Sequence, residues 1–190
     1  MIKVGITGLI ASGKTTAAKI IAGNKYPIFN ADYEVSKIYK TNYFRKIVKK
    51  KLGLKNSTNI KKKIKKVITK KKANLKTLEK IIHPIVRKNL KKFIKKNKKQ
   101  KILIFEIPLL IESKLMKNFD KIIFVNSQKK NRLKRYLMRG KSKEIFNFLD
   151  KRQLPSAKKI KFSDYVINND KTLKFLKKNI KDVISSLWMK

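Results

Sequence analysis

The sequence predicts an α/β protein built on a parallel β-sheet, and three observations carry that prediction. Short apolar runs alternate with stretches of helical spacing, the order that right-handed crossovers between parallel strands require. The first apolar run passes directly into a glycine-bearing loop and then into a helix. The 190 residues are 42% apolar, which suits one core and favours a single domain with insertions over two independent domains.

Taken in order, residues 1–7 read as a core strand, so no signal or transit peptide is expected ahead of the fold. Residues 13–22 read as a helix closed by Gly23-Asn24, and 26–29 as a second strand ending at Asn30-Ala31-Asp32. Helical spacing runs over 32–52. A polar break at 53–59 leads into lysine-rich helical sequence over 60–71. A longer helix over 75–96 contains Pro84, which predicts a kink or break. Residues 101–107 and 121–125 read as strands, with a helix over 128–138 after the second. Gly140 breaks that helix and 143–153 resumes it. A short strand at 165–167 and a helix over 173–187 close the chain, and no internal repeat is visible.

Charge is the unusual feature of the composition: 53 basic against 11 acidic residues, a net +42. Such a balance points first to nucleic acid. Only six of the basic residues are arginine, however, and the lysines run everywhere without a motif. We read a surface drifted to lysine, with no specific nucleic-acid partner expected. No cysteine is present, which excludes disulfides and thiolate metal sites and suits a reducing cytoplasm. The most apolar stretch, 102–111, is interrupted by Glu106 and Pro108 and is too short to span a bilayer. The expectation is a cytoplasmic protein, monomeric or weakly oligomeric.

Gly8-Leu9-Ile10-Ala11-Ser12-Gly13-Lys14-Thr15 matches G-x-x-x-x-G-K-[ST] in full, between a strand and a helix. Glycines there let backbone N–H groups of the loop turn inward onto phosphate oxygens, backed by the helix N-terminus that Thr16 extends. Lys14 is placed to reach the β and γ phosphates and Thr15 to offer its hydroxyl to Mg2+, so ATP with Mg2+ is the expected ligand.

Acidic residues are scarce, which makes their positions informative. Asp32 follows the second strand and Glu106 ends the third, and ligands of open α/β sheets sit at strand carboxyl ends. Asp32 suits two roles: taking the proton of an acceptor hydroxyl, or capping a helix. Glu106 stands where related kinases and ATPases hold magnesium through water. Arg132, Arg135 and Arg139 fall at i, i+3 and i+7, on one predicted helix face. They suit either a forked grip on phosphate within a lid hinged at Gly140, or a solvated face.

Several segments together resemble the dephospho-coenzyme A kinase family. They are Gly5-Ile6-Thr7-Gly8 opening the loop, Asn30-Ala31-Asp32, and Leu78-Glu79 followed by Ile82-His83-Pro84 and Arg87. Further on come Ile107-Pro108-Leu109-Leu110-Ile111-Glu112, the lid arginines Arg135 and Arg139, and Asp164-Tyr165-Val166-Ile167-Asn168-Asn169. The loop alone would fit many families; the ordered set is much more specific. The resemblance implies a P-loop kinase fold, with a five-stranded parallel sheet flanked by helices. It also implies a helical acceptor region over about 40–99 and a lid over about 139–155. The implied reaction moves the γ-phosphate of ATP to the ribose 3′-hydroxyl of dephospho-coenzyme A. Asp32 would act on that hydroxyl, Lys14 and Arg139 on the transferred phosphate, and Arg135 and Arg139 would bind the nucleotide. His83, Arg87, Glu106, Pro108 and Leu109 would line the acceptor site; by itself, a histidine before proline reads equally as structural.

The sequence departs from the family pattern at Leu9 and Ala11, where loop glycines are usual, and at Asn30, where the first aspartate is usual. Lys61 stands where arginine is usual and Glu106 where aspartate is. Two other functions compete. Another small-molecule or nucleotide kinase of the same fold would be expected to carry an arginine-rich acceptor region, and none is seen. A basic nucleic-acid-binding ATPase would be expected to carry an aromatic readout motif, also not seen.

Overall fold

Alternation inside each strand decides how the sheet is covered. In the computed structural model, which describes residues 1–54 and 59–188, β1 (Ile2–Gly8) places Val4 and Ile6 on one face, both fully buried. β3 (Ile102–Glu106) and β4 (Lys121–Asn126) pair with β1 on either side, and their Ile102, Ile104, Ile123 and Val125 join the same cluster. Helices α1 (Lys14–Ala22) and α9 (Leu173–Trp188) cover this face with Ala17, Ala18, Ile21, Leu176 and Ile180. Leu103, Phe105 and Phe124 occupy the alternate positions and are also buried, so the sheet is covered on both faces, as parallel sheets require. Each such side chain contributes about 1.5–3 kcal/mol on burial.

β2 (Ile28–Asn30) and β5 (Tyr165–Asn168) complete five parallel strands in the order β2-β3-β1-β4-β5. All carboxyl ends therefore lie along one edge. In the register, Glu106 is opposite both Ile6 and Asn30, and Asn126 is opposite Asn168.

The backbone divides into two compact units: Met1–Asn30 with Asn97–Lys190, and Ala31–Lys96. The described residues of the second unit form helices and no strand. The unit comprises α2 (Ala31–Ile38), α3 (Asn42–Leu52), α4 (Ile60–Lys70) and α5 (Lys72–Lys96), around Ile38, Phe44, Val48, Ile64, Leu78 and Ile82. The helix expected over 32–52 is split because Thr41 caps α3: its hydroxyl accepts from Phe44 N–H at 3.3 Å and donates to the Ile38 carbonyl at 2.9 Å. α5 runs through Pro84 without breaking. Ile82 before the proline and Ile85 and Val86 after it pack on one core. The polar break expected at 53–59 falls mainly on residues 55–58, outside the described residues.

In the first unit, α6 (Lys129–Leu137) and α7 (Lys143–Asp150) follow β4. A short helix α8 (Ser156–Lys161) was not expected; six residues, three of them lysine, carry no readable period.

Candidate active site

The loop between β1 and α1 is shaped by what its glycines exclude. A Cβ on Gly8 would stand 2.6 Å from the Val125 carbonyl and 2.7 Å from Ser12 Oγ, so no side chain fits there. Gly13 has φ +96°, and a Cβ on it would run into the Asn169 carboxamide, whose Nδ2 donates to the Ser12 carbonyl at 2.8 Å. The Leu9 carbonyl accepts from Ser12 N–H at 3.1 Å and from the Lys14 ammonium at 2.9 Å. Lys14 is only 7% exposed, so its charge is held within the loop. Ser12 Oγ is buried and has no hydrogen-bond partner among the described residues.

Beside the loop, Glu106 is 3% exposed at the end of β3. Thr15 Oγ1 donates to its Oε1 at 2.6 Å, and Asn30 Nδ2 donates to its Oε2. Adjacent strand ends thus bring together the loop threonine, a buried carboxylate and the first residue of the Asn30-Ala31-Asp32 segment. A buried carboxylate touching the Walker-type hydroxyl is the arrangement phosphoryl transfer uses at its metal.

A family model described as dephospho-CoA kinase matches residues 2–174. The chain belongs to the dephospho-CoA kinase family. The dephospho-CoA kinase of Bartonella henselae is 32% identical over 189 residues, 97% of each chain. A crystal structure of a Thermus thermophilus protein superposes with a TM-score of 0.83 at 25% identity, covering 98% of this chain and 97% of that one. The dephospho-CoA kinase from Campylobacter jejuni superposes with a TM-score of 0.65 at 25% identity, covering 97% and 96%. The parallel P-loop kinase fold expected from the sequence is the fold observed.

Of the residues singled out in the sequence, the three arginines do not share one exposed face. α6 ends at Leu137, so Arg139 lies beyond it and is exposed. Arg132 is 4% exposed; its Nε donates to the Ser127 carbonyl at 3.0 Å, and its Nη1 pairs with Asp150 Oδ1 at 2.6 Å. Arg135 donates to Ser127 Oγ at 3.1 Å and to the Asn169 carbonyl at 2.7 Å. Asp170 organises the same corner, accepting from Ser127 Oγ, Gln128 N–H and Asn131 Nδ2. Burial pushes its carboxyl up, but those hydrogen bonds and the Arg135 charge outweigh burial and hold it below the usual aspartate value.

The stretch 139–155 is anchored in its second half. Phe146 is fully buried against Tyr136, with ring centroids 5.6 Å apart, and Asp150 pairs with Arg132. Leu154 N–H donates to Glu112 Oε1 at 3.0 Å. That carboxylate also pairs at 2.8 Å with Lys159, which is fully buried and donates to the Pro108 carbonyl at 3.1 Å. Burial holds the Lys159 ammonium below the usual lysine value, against the pull of Glu112. Pro108 thus meets Lys159 and Thr7 Oγ1 through its carbonyl, and Leu109 is half-buried beside it.

In the helical unit, Asp32 is exposed in the first turn of α2. The helix opens at Ala31, which puts the cap position at Asn30 and Asp32 two residues past it. His83 and Arg87 are exposed on α5 one turn apart, and Arg87 lines a groove of about 440 Å³ with Pro84, Lys88, Lys91, Lys92 and Lys95. Lys61 lies over the Tyr39 ring at 5.7 Å. Gln153 and Lys159 were missed by sequence reasoning, and Asn169 was read only as part of a segment, with no role of its own. A lone amide or lysine carries no signal until its partner is known.

Ala11 adopts φ +57°, where a side chain is strained. The left-handed conformation costs roughly 1–2 kcal/mol for a non-glycine residue, while glycine gives up about 0.4–1 kcal/mol through the unfolded chain. Ala11→Gly should therefore stabilise the protein by about 0.5–1 kcal/mol in denaturant titrations. A lower unfolding midpoint would show that Ala11 is not strained in the folded protein.

Proposed function

We propose that the chain phosphorylates the ribose 3′-hydroxyl of dephospho-CoA with ATP, producing CoA. The observation that carries this reading is the phosphate loop joined to a buried Thr15–Glu106 pair, in a chain that belongs to the dephospho-CoA kinase family over nearly its whole length.

Residues 8–16 would form the nucleotide loop, binding through backbone N–H groups beyond Ile10, whose own N–H is taken by Gln153, and through the unpartnered Ser12 hydroxyl, with Lys14 on the β and γ phosphates. Thr15 Oγ1 and Glu106 Oε1 are hard oxygen donors side by side, the set that suits Mg2+. The described residues contain no cluster of three or more acidic, histidine or cysteine ligands, in keeping with an ion held mainly by phosphates and water. Bound there, Mg2+ would neutralise charge on the β and γ oxygens, with Thr15 and Glu106 holding it. Asp32 would orient the acceptor hydroxyl and take its proton. Arg135 and Arg139 would bind the nucleotide, and a lid over 139–155 would have the exposed turn around Gly140 as its free edge.

The helical region over 40–99 would hold the acceptor, with His83 and Arg87 among its contacts and the lysine-lined groove of α5 drawing the diphosphate. Pro108 and Leu109, with Glu106, would border the acceptor in the first unit. No helix among the described residues is long and apolar enough to cross a membrane.

One assay tests the function. ATP turnover is measured with dephospho-CoA, AMP, shikimate and gluconate offered separately. Turnover with dephospho-CoA and none above background with the rest is expected; preference for any other acceptor overturns the reading.

A further inference from the structure

The phosphate loop is held from outside by a residue 143 positions away. Gln153 Oε1 accepts from Ile10 N–H at 2.6 Å, and its Nε2 donates to the Gly8 carbonyl at 3.4 Å. A carboxamide carries an acceptor and a donor side by side, so it pairs with these two backbone groups across Leu9 as another peptide would. The Ile10 carbonyl accepts from Arg132 Nη1 at 3.4 Å. Both polar backbone groups of Ile10 are therefore held by side chains from elements flanking α7.

Gln153 is itself fixed. Its N–H donates to the Asp150 carbonyl at 3.1 Å, and Asp150 is paired with Arg132. The next residue, Leu154, is tied to Glu112, which is paired with buried Lys159. The carboxamide is aimed by a backbone anchored on both sides.

The loop needs such support. Leu9 and Ala11 lack the freedom of glycine, and Ala11 is held at φ +57°. A residue in that conformation persists where its surroundings over-determine it. Phosphate affinity depends in turn on the directions of the loop N–H groups.

We infer that Gln153 is a positioning residue for the triphosphate. It holds the Gly8–Leu9–Ile10 arc so that the N–H groups beyond it converge on the phosphates, and it ties ATP affinity to the segment that follows α7. The inference rests on the kinase reading for its reaction, but ATP binding by itself tests it.

The test uses the full chain with Gln153→Met, which keeps the length and loses both hydrogen bonds, and Gln153→Glu, which keeps the acceptor and adds charge near the phosphates. Calorimetry with ATP and Mg2+ gives Kd, steady-state kinetics give KM for each substrate and kcat, and melting curves report the fold. Gln153→Met should weaken ATP about tenfold, equivalent to about 1.4 kcal/mol. Its KM for dephospho-CoA should stay at the parent value and its Tm within about 3 °C. Gln153→Glu should weaken ATP further, through repulsion between carboxylate and phosphate. Parent-like ATP affinity in Gln153→Met, or equal losses for both substrates with a lowered Tm, overturns the inference. A parent protein that binds ATP and fails to phosphorylate dephospho-CoA would instead sink the functional reading, so the two failures are distinct.

Discussion

Replacing Lys14 with alanine is expected to abolish phosphoryl transfer and leave the fold intact. The ammonium is held inside the loop, 2.9 Å from the Leu9 carbonyl and 7% exposed, so its charge already belongs to the loop proposed to take the phosphates. Phosphoryl transfer leaves little covalent chemistry for the protein, and its rate depends on positioning and on charge aimed at the transferring group. A charge kept away from water acts at low dielectric, where it is worth far more than at the surface. The expected loss is on the order of 10³-fold or more in kcat/KM. The core around β1 and α1 is built from Val4, Ile6, Ala17, Ala18 and Ile21, none of which the substitution removes. Circular dichroism and melting curves should therefore match the parent. A folded Lys14→Ala protein with near-parent turnover would remove the phosphate-loop reading.

The second large effect is expected at Asp32. Asp32→Asn keeps the shape and loses the charge. If the carboxylate takes the proton of the acceptor hydroxyl, kcat should fall by on the order of 10²–10⁴. The competing role is helix support, because Asp32 lies in the first turn of α2, where a negative charge favours the positive end of the helix. That contribution is about 0.3–1 kcal/mol at an exposed position, too small to lower kcat a hundredfold. The two roles separate cleanly in one set of measurements. A fall in kcat with an unchanged melting point supports the catalytic role. A lowered melting point with parent kcat assigns Asp32 to the helix alone.

Residues 8–15 were legible as a phosphate loop because the pattern they carry is short-range. Glycine conformation, the lysine and the adjacent hydroxyl all fall within one loop and one helical turn. Strand and helix positions were legible for the same reason, since the apolar period is local. The order of segments from Gly5 to Asn169 was also enough to name the family that the comparisons support. Short-range pattern misled where a single polar group redirects the chain, as when the Thr41 hydroxyl ends one helix and starts the next. A break at Pro84 did not follow either: the helix continues through it, and the residues on both sides pack on one core.

Tertiary structure alone decided which distant residues serve the loop. The order β2-β3-β1-β4-β5 brings Asn30 beside Glu106 and carries Asn169 to Ser12 across 157 positions. It also turned Arg132 from a candidate phosphate ligand into a buried clamp between Asp150 and the Ile10 carbonyl. Gln153 and Lys159 became visible only there. A single polar residue has the same local pattern whether it meets water or a backbone, and the choice belongs to whatever the fold packs against it.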